Sequence, residues 1–100
     1  MTVREMAGYI YMMASAPYGT LYIGVTATLS KRVWQHKEGE GSRFCAKYKV
    51  HRLVHYEHFE DIRDAIHREK RLKKWQRKWK IELIESGNPT WADLYETLHL

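Results

Sequence analysis

The run GYIYMMASAPYGTLYIGV, residues 8–25, decides the fold of this chain. Aromatic and aliphatic residues dominate its first six and its last six positions, and such residues favour β-strands. Between the two runs, the segment Ser15-Ala16-Pro17-Tyr18-Gly19 includes a proline and a glycine, which favour a turn. Two short strands around such a turn predict an antiparallel hairpin.

The rest of the chain alternates between helical and extended patterns. Residues Leu29 to about Lys37 have helical composition, with Thr26 or Thr28 as the N-cap and Gly39 as the stop. A polar loop follows. The later predicted segments are a strand at residues 52–57, a long helix at about 61–84 that ends at Ser86-Gly87-Asn88-Pro89, and a short helix near 91–98. The order strand, strand, helix, strand, helix, helix predicts a small α+β fold with helices packed on a three-stranded sheet.

Length and composition limit the kind of protein this can be. One hundred residues correspond to about one domain, so we expect a single domain over residues 1–100 with a surface groove rather than a deep cavity. The single cysteine, Cys45, excludes an internal disulfide and a zinc cluster of several cysteines. No run approaches ~18 apolar residues, and Met1 to Met6 lack the apolar core of a signal peptide. We therefore expect a cytoplasmic protein with no membrane partner.

Basic residues are concentrated in the predicted long helix. The chain has 17 Lys and Arg against 12 Asp and Glu, a formal charge of +5. Nine of the 17 fall between positions 63 and 80, namely Arg63, Arg68, Lys70, Arg71, Lys73, Lys74, Arg77, Lys78 and Lys80. Trp75 and Trp79 lie among them, and aromatic side chains between basic ones favour a nucleic acid as the partner. A solvated helix face without a binding role is the alternative.

Glu69 occupies an unexpected position in this helix. At 100° per residue it falls within the apolar stripe formed by Ile62, Ala65, Ile66, Leu72 and Leu83. An ionised carboxylate turned toward a core is destabilising unless it is paired or binds a metal. An ion pair with Lys73, four residues on, explains the position equally well. The sequence leaves both explanations open.

Further polar groups lie on the predicted inner faces of the first helix and the hairpin. Arg32 and His36 are four residues apart and project together toward the sheet, while strand alternation places Tyr11 and Tyr22 close to each other. Each has a purely structural alternative as a packed or backbone-bonded side chain. A tyrosine with a pKa of about 10 needs a proton acceptor or a cation beside it to act as a base. With Glu69, which could hold Mg²⁺ alone, these groups suit phosphodiester cleavage.

These residues resemble the motifs of the GIY-YIG nuclease superfamily, and the chain looks like its small single-domain bacterial proteins. The motifs occur in order as Tyr9-Ile10-Tyr11, Tyr22-Ile23-Gly24, Lys31-Arg32, His36, Glu69 and Asn88, and the resemblance spans Gly8 to about Leu94. The glycine position of the first motif holds Tyr9, with Gly8 one residue earlier. We align Tyr11 with the motif tyrosine, whereas a shifted frame would select Tyr9.

The resemblance implies a three-stranded antiparallel sheet flanked by helices, and hydrolysis of a phosphodiester with one divalent ion, Mg²⁺ or Mn²⁺. It implies that Glu69 holds this ion. It also implies that Tyr11 is the general base for the attacking water, with His36 accepting or relaying the proton. The implied chemistry is therefore that of a metal-dependent nuclease.

The resemblance assigns supporting roles to four further residues. Tyr22 would position water or phosphate, and Arg32 would stabilise the charge that develops in the transition state. Lys31 would lower the pKa of the tyrosine. Asn88 would lie near the phosphate or hold the surroundings of the glutamate.

The basic helix adds a reason for nucleic-acid affinity that does not depend on base sequence, and such affinity weakens as salt is added. The predicted nucleic-acid contacts are Lys31, Arg68, Lys70, Arg71, Lys73, Lys74, Arg77 and Lys78. We predict an endonuclease of low sequence specificity, with DNA favoured over RNA and DNA repair as the setting. The alternatives are a binding module of the same fold with little catalysis, and a domain that cleaves only with a partner subunit. The sequence leaves the oligomeric state open.

Overall fold

The predicted hairpin forms the centre and one edge of the sheet in a computed structural model, which describes residues 6–98. Strand β1 spans Gly8–Ala14, strand β2 spans Leu21–Thr26, and the two pair antiparallel with Tyr11 opposite Gly24. In the turn between them, the Gly19 amide donates to the Ala16 carbonyl at 2.9 Å. The hairpin prediction is confirmed.

A third strand completes the sheet on the other side of β1. Strand β3 spans Arg52–Phe59 and pairs antiparallel with β1, which gives the strand order β2-β1-β3. The register shifts between Met12 and Met13, where Val54 is the extra residue on β3. Because β1 is the central strand and has helices on both faces, six of its seven residues are buried.

Four helices flank this sheet within residues 6–98. Helix α1 spans Leu29–Lys37, α2 spans Arg43–Tyr48, α3 spans Ile62–Lys74 and α4 spans Arg77–Gly87. A single turn of 3₁₀ helix at Leu94–Thr97 lies where the last short helix was predicted. None of the helices in this part of the chain is long and apolar enough to cross a membrane. The α+β prediction, a three-stranded antiparallel sheet flanked by helices, is confirmed.

Helix α1 has the bounds that its sequence predicts. Thr28 is the N-cap residue, and its amide donates to the Thr26 hydroxyl at 3.0 Å, so the two candidate threonines act together. After the last turn, Gly39 adopts a left-handed φ of 79° and donates its amide to the His36 carbonyl. These local signals fix the helix that carries Arg32 and His36.

The predicted long helix is wrong in one respect, because it is two helices. Trp75 and Gln76 separate α3 from α4 and have extended ψ angles of 151° and 148°. A straight helix of about 24 residues would be about 36 Å long, which would carry its end away from the sheet. The break returns α4 to the core, where Ile84 is fully buried in the same cluster as Ala65 of α3.

The segment after α1, which the sequence predicts as a polar loop, contains helix α2. The Ser42 side chain accepts a hydrogen bond from the Cys45 amide at 3.4 Å and begins the helix, and Lys49 ends it with a left-handed φ of 57°. Cys45 is fully buried and free, as a packed side chain should be. A serine N-cap before a six-residue helix is a weak sequence signal.

Side chains of β1 alternate between two buried clusters on opposite faces of the sheet. Ile10 and Met12 pack with α3 and α4 on what we call the α3 face, and Tyr11 and Met13 pack with α1 and α2 on what we call the α1 face. The remaining buried members are Ala14, Ile23, Val54, Ala65, Leu72, Ile84 and Trp91 on the α3 face, and Leu29, Val33, Cys45, Val50 and Leu53 on the α1 face.

Replacing Gly24 with alanine should destabilise the fold, because a Cβ there would lie 2.5 Å from Cζ and Oη of the buried Tyr11 ring. Overpacking of this kind costs about 1–3 kcal/mol. A domain of this size loses roughly 4–8 °C in Tm per kcal/mol. Thermal unfolding of Gly24→Ala should show this loss. Gly87→Ala is the control, since nothing lies within 4 Å of its added Cβ. Equal Tm values for the two variants would contradict this packing.

Candidate active site

A buried hydrogen bond between Tyr11 and His36 forms the centre of the α1 face. Tyr11 Oη lies 2.9 Å from His36 Nε2, and the two side chains are 1% and 0% exposed. Tyr11 projects from the central strand, and His36 projects from the last turn of α1 toward it. The bond therefore joins the strand of the first motif to the helix that follows the second.

Two glycines leave the space that these rings occupy. The Tyr11 ring covers Gly24 on the neighbouring strand. A Cβ on Gly41 would lie only 2.6 Å from His36 Nδ1, so the backbone of the loop after α1 closes directly over the imidazole. Any larger residue at either position would push one ring away from the other. The second motif therefore requires glycine at position 24 in this chain, because a larger residue would clash with the Tyr11 ring.

Burial keeps the Tyr11–His36 pair neutral at pH 7. Burial raises the pKa of Tyr11 well above its ordinary value, and the neighbouring Tyr22 raises it further, while Arg32 acts in the opposite direction. Burial, with smaller effects from Arg32 and His51, lowers the pKa of His36 to about 4. A neutral imidazole has one bare nitrogen, which can accept the tyrosine proton.

The second ring nitrogen of His36 has no hydrogen-bond partner among the residues that the structure describes. Nδ1 is buried under Gly41 and is the one buried side-chain nitrogen or oxygen in residues 6–98 without a partner. An unpaired buried polar atom usually marks strain or a functional role. The His36 carbonyl, in contrast, accepts a hydrogen bond from His51 Nδ1 at 2.9 Å. Sequence reasoning missed His51, since no motif signal points to it.

Tyr22 and Arg32 lie beside the buried pair, as predicted. The Tyr22 ring is 6.3 Å from that of Tyr11 and 5.2 Å from that of His36, measured between centroids, and Tyr22 is half-buried. Arg32 Nη1 donates one bond of 3.3 Å to Gln35. The structure therefore brings together four of the six predicted catalytic residues on the α1 face.

Tyr9, the tyrosine of the alternative frame, has different neighbours. It lies on the same face of β1, but its ring packs edge-on against His58 at 5.0 Å. Of the two tyrosines, Tyr11 makes the bond to His36.

Glu69 belongs to α3, on the opposite face of the sheet, where it is largely buried and forms the ion pair with Lys73 that the sequence offered as one explanation. Its side chain is only 13% exposed, and it forms an ion pair of 2.9 Å with Lys73. Lys73 also lines a groove of about 330 Å³ at the β2 edge together with Tyr22. This groove joins α3 to the α1 face. Its full lining is Leu21, Tyr22, Ile23, Phe44, Lys73 and Lys80.

The carboxylate of Glu69 suits a divalent ion that needs few protein ligands. No group of three or more metal-ligating side chains occurs in the described part of the chain. Mg²⁺ commonly uses one or two carboxylates and completes its shell with water and substrate phosphate. A single hard oxygen donor, paired with a lysine that lines the groove, fits that chemistry.

Asn88 is bonded to backbone rather than to the other predicted residues. Its Nδ2 donates to the Val54 carbonyl at 3.1 Å and to the Ala92 carbonyl at 2.9 Å, and its Oδ1 accepts from the Ala92 amide at 3.0 Å. Both of its donors are therefore occupied. The observed bonds fasten the end of α4 to β3 and to the loop that follows.

The eight predicted nucleic-acid contacts divide into two groups. Three have partners: Arg68 forms a bidentate pair with Glu57, Arg77 donates to the Tyr18 and Gly19 carbonyls, and Lys73 pairs with Glu69. The other five are exposed and have no ion pair with any residue from 6 to 98, namely Lys31, Lys70, Arg71, Lys74 and Lys78. Three of the eight basic residues therefore form contacts within the fold.

The ion pair between Arg68 and Glu57 is a strong contact within the fold, as the pKa of Glu57 shows. Burial raises the pKa of Glu57, but hydrogen bonds from His55 and Arg68 outweigh this effect and hold it at about 2. The Arg68 guanidinium also lies 5.3 Å from the Trp75 ring centroid. Arg68 therefore anchors α3 to β3, close to the break between α3 and α4.

Comparison with known proteins identifies the family. A family model described as "GIY-YIG catalytic domain" matches residues 7–82. The chain is 36% identical over 77 residues to a UPF0213 protein of Bacillus pumilus, covering 77% of this chain and 78% of the relative. It is 33% identical over 79 residues to one of Haloquadratum walsbyi, covering 79% and 88%. One of Clostridium perfringens is 36% identical over 78 residues, covering 78% and 83%. No solved structure matches the chain.

The low pKa of His36 predicts a specific pH dependence. An unfolded chain takes up this proton near pH 6.5, whereas the folded protein takes it up near pH 4. Between these values the unfolded state binds more protons, so the His36 contribution makes the free energy of unfolding fall as the pH drops from 6.5 to 4. NMR titration of the His36 ring should give a midpoint near 4. A midpoint at 6.5 or above would contradict the buried neutral pair.

Proposed function

We propose that this chain, which belongs to the GIY-YIG family, is a metal-dependent endonuclease that hydrolyses phosphodiester bonds of nucleic acid. The family is one of nucleases, so nucleic acid is the substrate class that membership implies. The finer parts of the proposal are DNA rather than RNA, low sequence specificity, and action as one domain over residues 1–100 in the cytoplasm. The observation that carries the proposal is the buried bond between Tyr11 and His36.

This bond supports a coupled proton transfer. The raised pKa of Tyr11 leaves almost no tyrosinate at pH 7. Tyr11 can still act as a base if its hydroxyl proton moves to His36 Nε2 while its oxygen takes a proton from the attacking water. This transfer needs a bare Nε2, and therefore a hydrogen on Nδ1, the buried nitrogen beside Gly41. The water then becomes the hydroxide that attacks phosphorus.

Arg32 supports both the phosphate and the proton transfer. The Arg32 guanidinium donates to Gln35 at 3.3 Å and also acts on the Tyr11 hydroxyl, and its remaining N–H groups could bind a phosphate. The charge of Arg32 contributes to the low pKa of His36. A bound phosphate would offset that charge and make His36 a better proton acceptor when substrate is present. Tyr22, between the buried pair and the groove, would position water or phosphate.

Glu69 would hold the ion, Mg²⁺ or Mn²⁺. When bound, a divalent ion supplies Lewis-acid stabilisation of the scissile phosphate and of the departing 3′ oxygen. Lys73 pairs with Glu69, but its side chain is 55% exposed. Exposed ion pairs contribute only about 0–1 kcal/mol. Glu69 itself is only 13% exposed, so its carboxylate needs a cation beside it. A divalent ion could take the place of the Lys73 ammonium, and Lys73 could then turn to a phosphate in the same groove.

A second candidate function has one observation in its favour. The Glu69 carboxylate already has a cationic partner, and the described residues form no group of three or more metal-ligating side chains. A chain of this kind could bind nucleic acid with little catalysis of its own, or cleave only with a partner subunit. For Asn88, whose donors are both occupied, we propose a positioning role in place of a direct contact with phosphate.

Glu69→Gln separates these functions. It keeps the size of the side chain but removes its charge, so cleavage should fall at least about 100-fold, while binding stays equal or improves. The measurement is cleavage with Mg²⁺ and then Mn²⁺ on single-stranded, duplex, nicked, flapped and branched DNA and RNA. Glu60→Gln, an exposed carboxylate outside the site, is the matched control.

Equal cleavage by wild type and Glu69→Gln would contradict the role of Glu69 and assign the activity to another site or to a contaminant. Equal binding without cleavage in both proteins would favour the binding module.

A further inference from the structure

Helix α2 presents two aromatic rings to solvent beside the active site. Phe44 is 41% exposed and Tyr48 is 45% exposed, and their ring centroids are 4.8 Å apart. The Phe44 ring lies 6.1 Å from that of Tyr22, which itself lies 5.2 Å from that of His36. A continuous series of rings therefore leads from the buried proton-transfer pair to the surface.

The Phe44 and Tyr48 rings belong to neither of the two buried clusters. Cys45, which lies between them in sequence, is the buried residue that fastens α2 to the α1 face. Phe44 and Tyr48 point away from this contact, and Phe44 lines the groove at the β2 edge with Tyr22 and Lys73. Single exposed aromatic residues are common, but adjacent ones beside a site usually mark a binding surface.

The charges around the rings fit an anionic partner. No Asp or Glu occurs between Glu40 and Glu57, whereas this segment carries Arg43, Lys47 and Lys49, all exposed. Lys47 Nζ lies 5.3 Å from the Tyr48 ring centroid. Lys73 and Lys80 line the same groove as Phe44. Flat rings among cations match a ligand with flat faces and a phosphate backbone.

We propose that Phe44 and Tyr48 stack an unpaired nucleobase next to the scissile phosphate, so that the substrate is single-stranded or locally unpaired nucleic acid. The inference rests on the proposed function, since it places the base beside that site. Bases inside a duplex are already stacked on their neighbours and cannot present a face to Phe44. The platform reads no base edge, which agrees with low sequence specificity.

Binding without divalent metal tests this proposal separately from cleavage. The probe is an oligonucleotide with 2-aminopurine, whose fluorescence is quenched on stacking, used single-stranded and as a duplex in EDTA with the wild-type chain. Phe44→Leu and Tyr48→Leu remove a flat ring but keep an apolar side chain. Loss of one stacked base corresponds to about 1–3 kcal/mol, a weakening of about 5- to 150-fold.

The expected result is that each leucine variant weakens single-strand binding by this factor and removes the quenching, while duplex binding hardly changes. Phe44→Trp should restore both. Trp34→Leu is the matched control, because Trp34 is 47% exposed on α1 and has no described ring partner. Circular dichroism of each variant checks the fold.

Equal single-strand binding by wild type and the leucine variants would overturn the proposal and assign this surface to another occupant, such as a protein. Equal weakening for single strand and duplex would overturn it as well. Ring-dependent binding without any cleavage would instead contradict the proposed nuclease and leave the stacking platform standing.

Discussion

The hydrogen bond between Tyr11 and His36 is the contact on which the rest of the site depends. It joins the central strand to α1 through two fully buried polar groups, and such groups are costly to bury without each other. It also requires close backbone approach on both sides, which Gly24 and Gly41 provide. The hairpin register, the length of α1 and the loop after it all serve to keep these two rings in contact.

The fold divides the chemistry between the two faces of the sheet and joins them at one edge. The Tyr11–His36 pair and the Arg32 guanidinium lie on the α1 face, whereas the Glu69 carboxylate lies on α3 on the other face. Strand β2 is the edge strand, and the groove beside it contacts residues from both sides, including Tyr22 and Lys73. A ligand in this groove would contact Tyr22 from one side of the sheet and Lys73, the partner of Glu69, from the other.

The sequence predicted those features that local patterns control. Alternation in β1 gave the faces of Tyr9 and Tyr11, and Gly39 marked the end of α1 correctly. The break at Trp75 and Gln76 carries no proline or glycine, so no local signal marks it, although it accompanies the burial of Ile84 in the same cluster as Ala65. Contacts between residues far apart in the sequence could not be predicted either, because local patterns do not specify them.

Arg68 shows the same difficulty for the candidate site. Its place in a basic run indicated a phosphate ligand, but Glu57, eleven residues earlier on β3, forms a bidentate pair with it. Charge density in a sequence does not reveal which cations the fold itself uses. Helix α2 presents the same difficulty. Its exposed rings indicate a binding surface only once the fold places Tyr22 beside Phe44.

The central claim is that Tyr11 and His36 act as one proton-transfer unit, and a double-mutant cycle on cleavage tests it most directly. Tyr11→Phe removes the hydroxyl, and His36→Gln replaces the base with a side chain that can form a hydrogen bond but cannot take the proton. Each change should lower the cleavage rate by about 100-fold or more. Because one proton path needs both groups, the double variant should be no slower than the slower single variant. Multiplied losses would mean that the residues act independently and would contradict this claim.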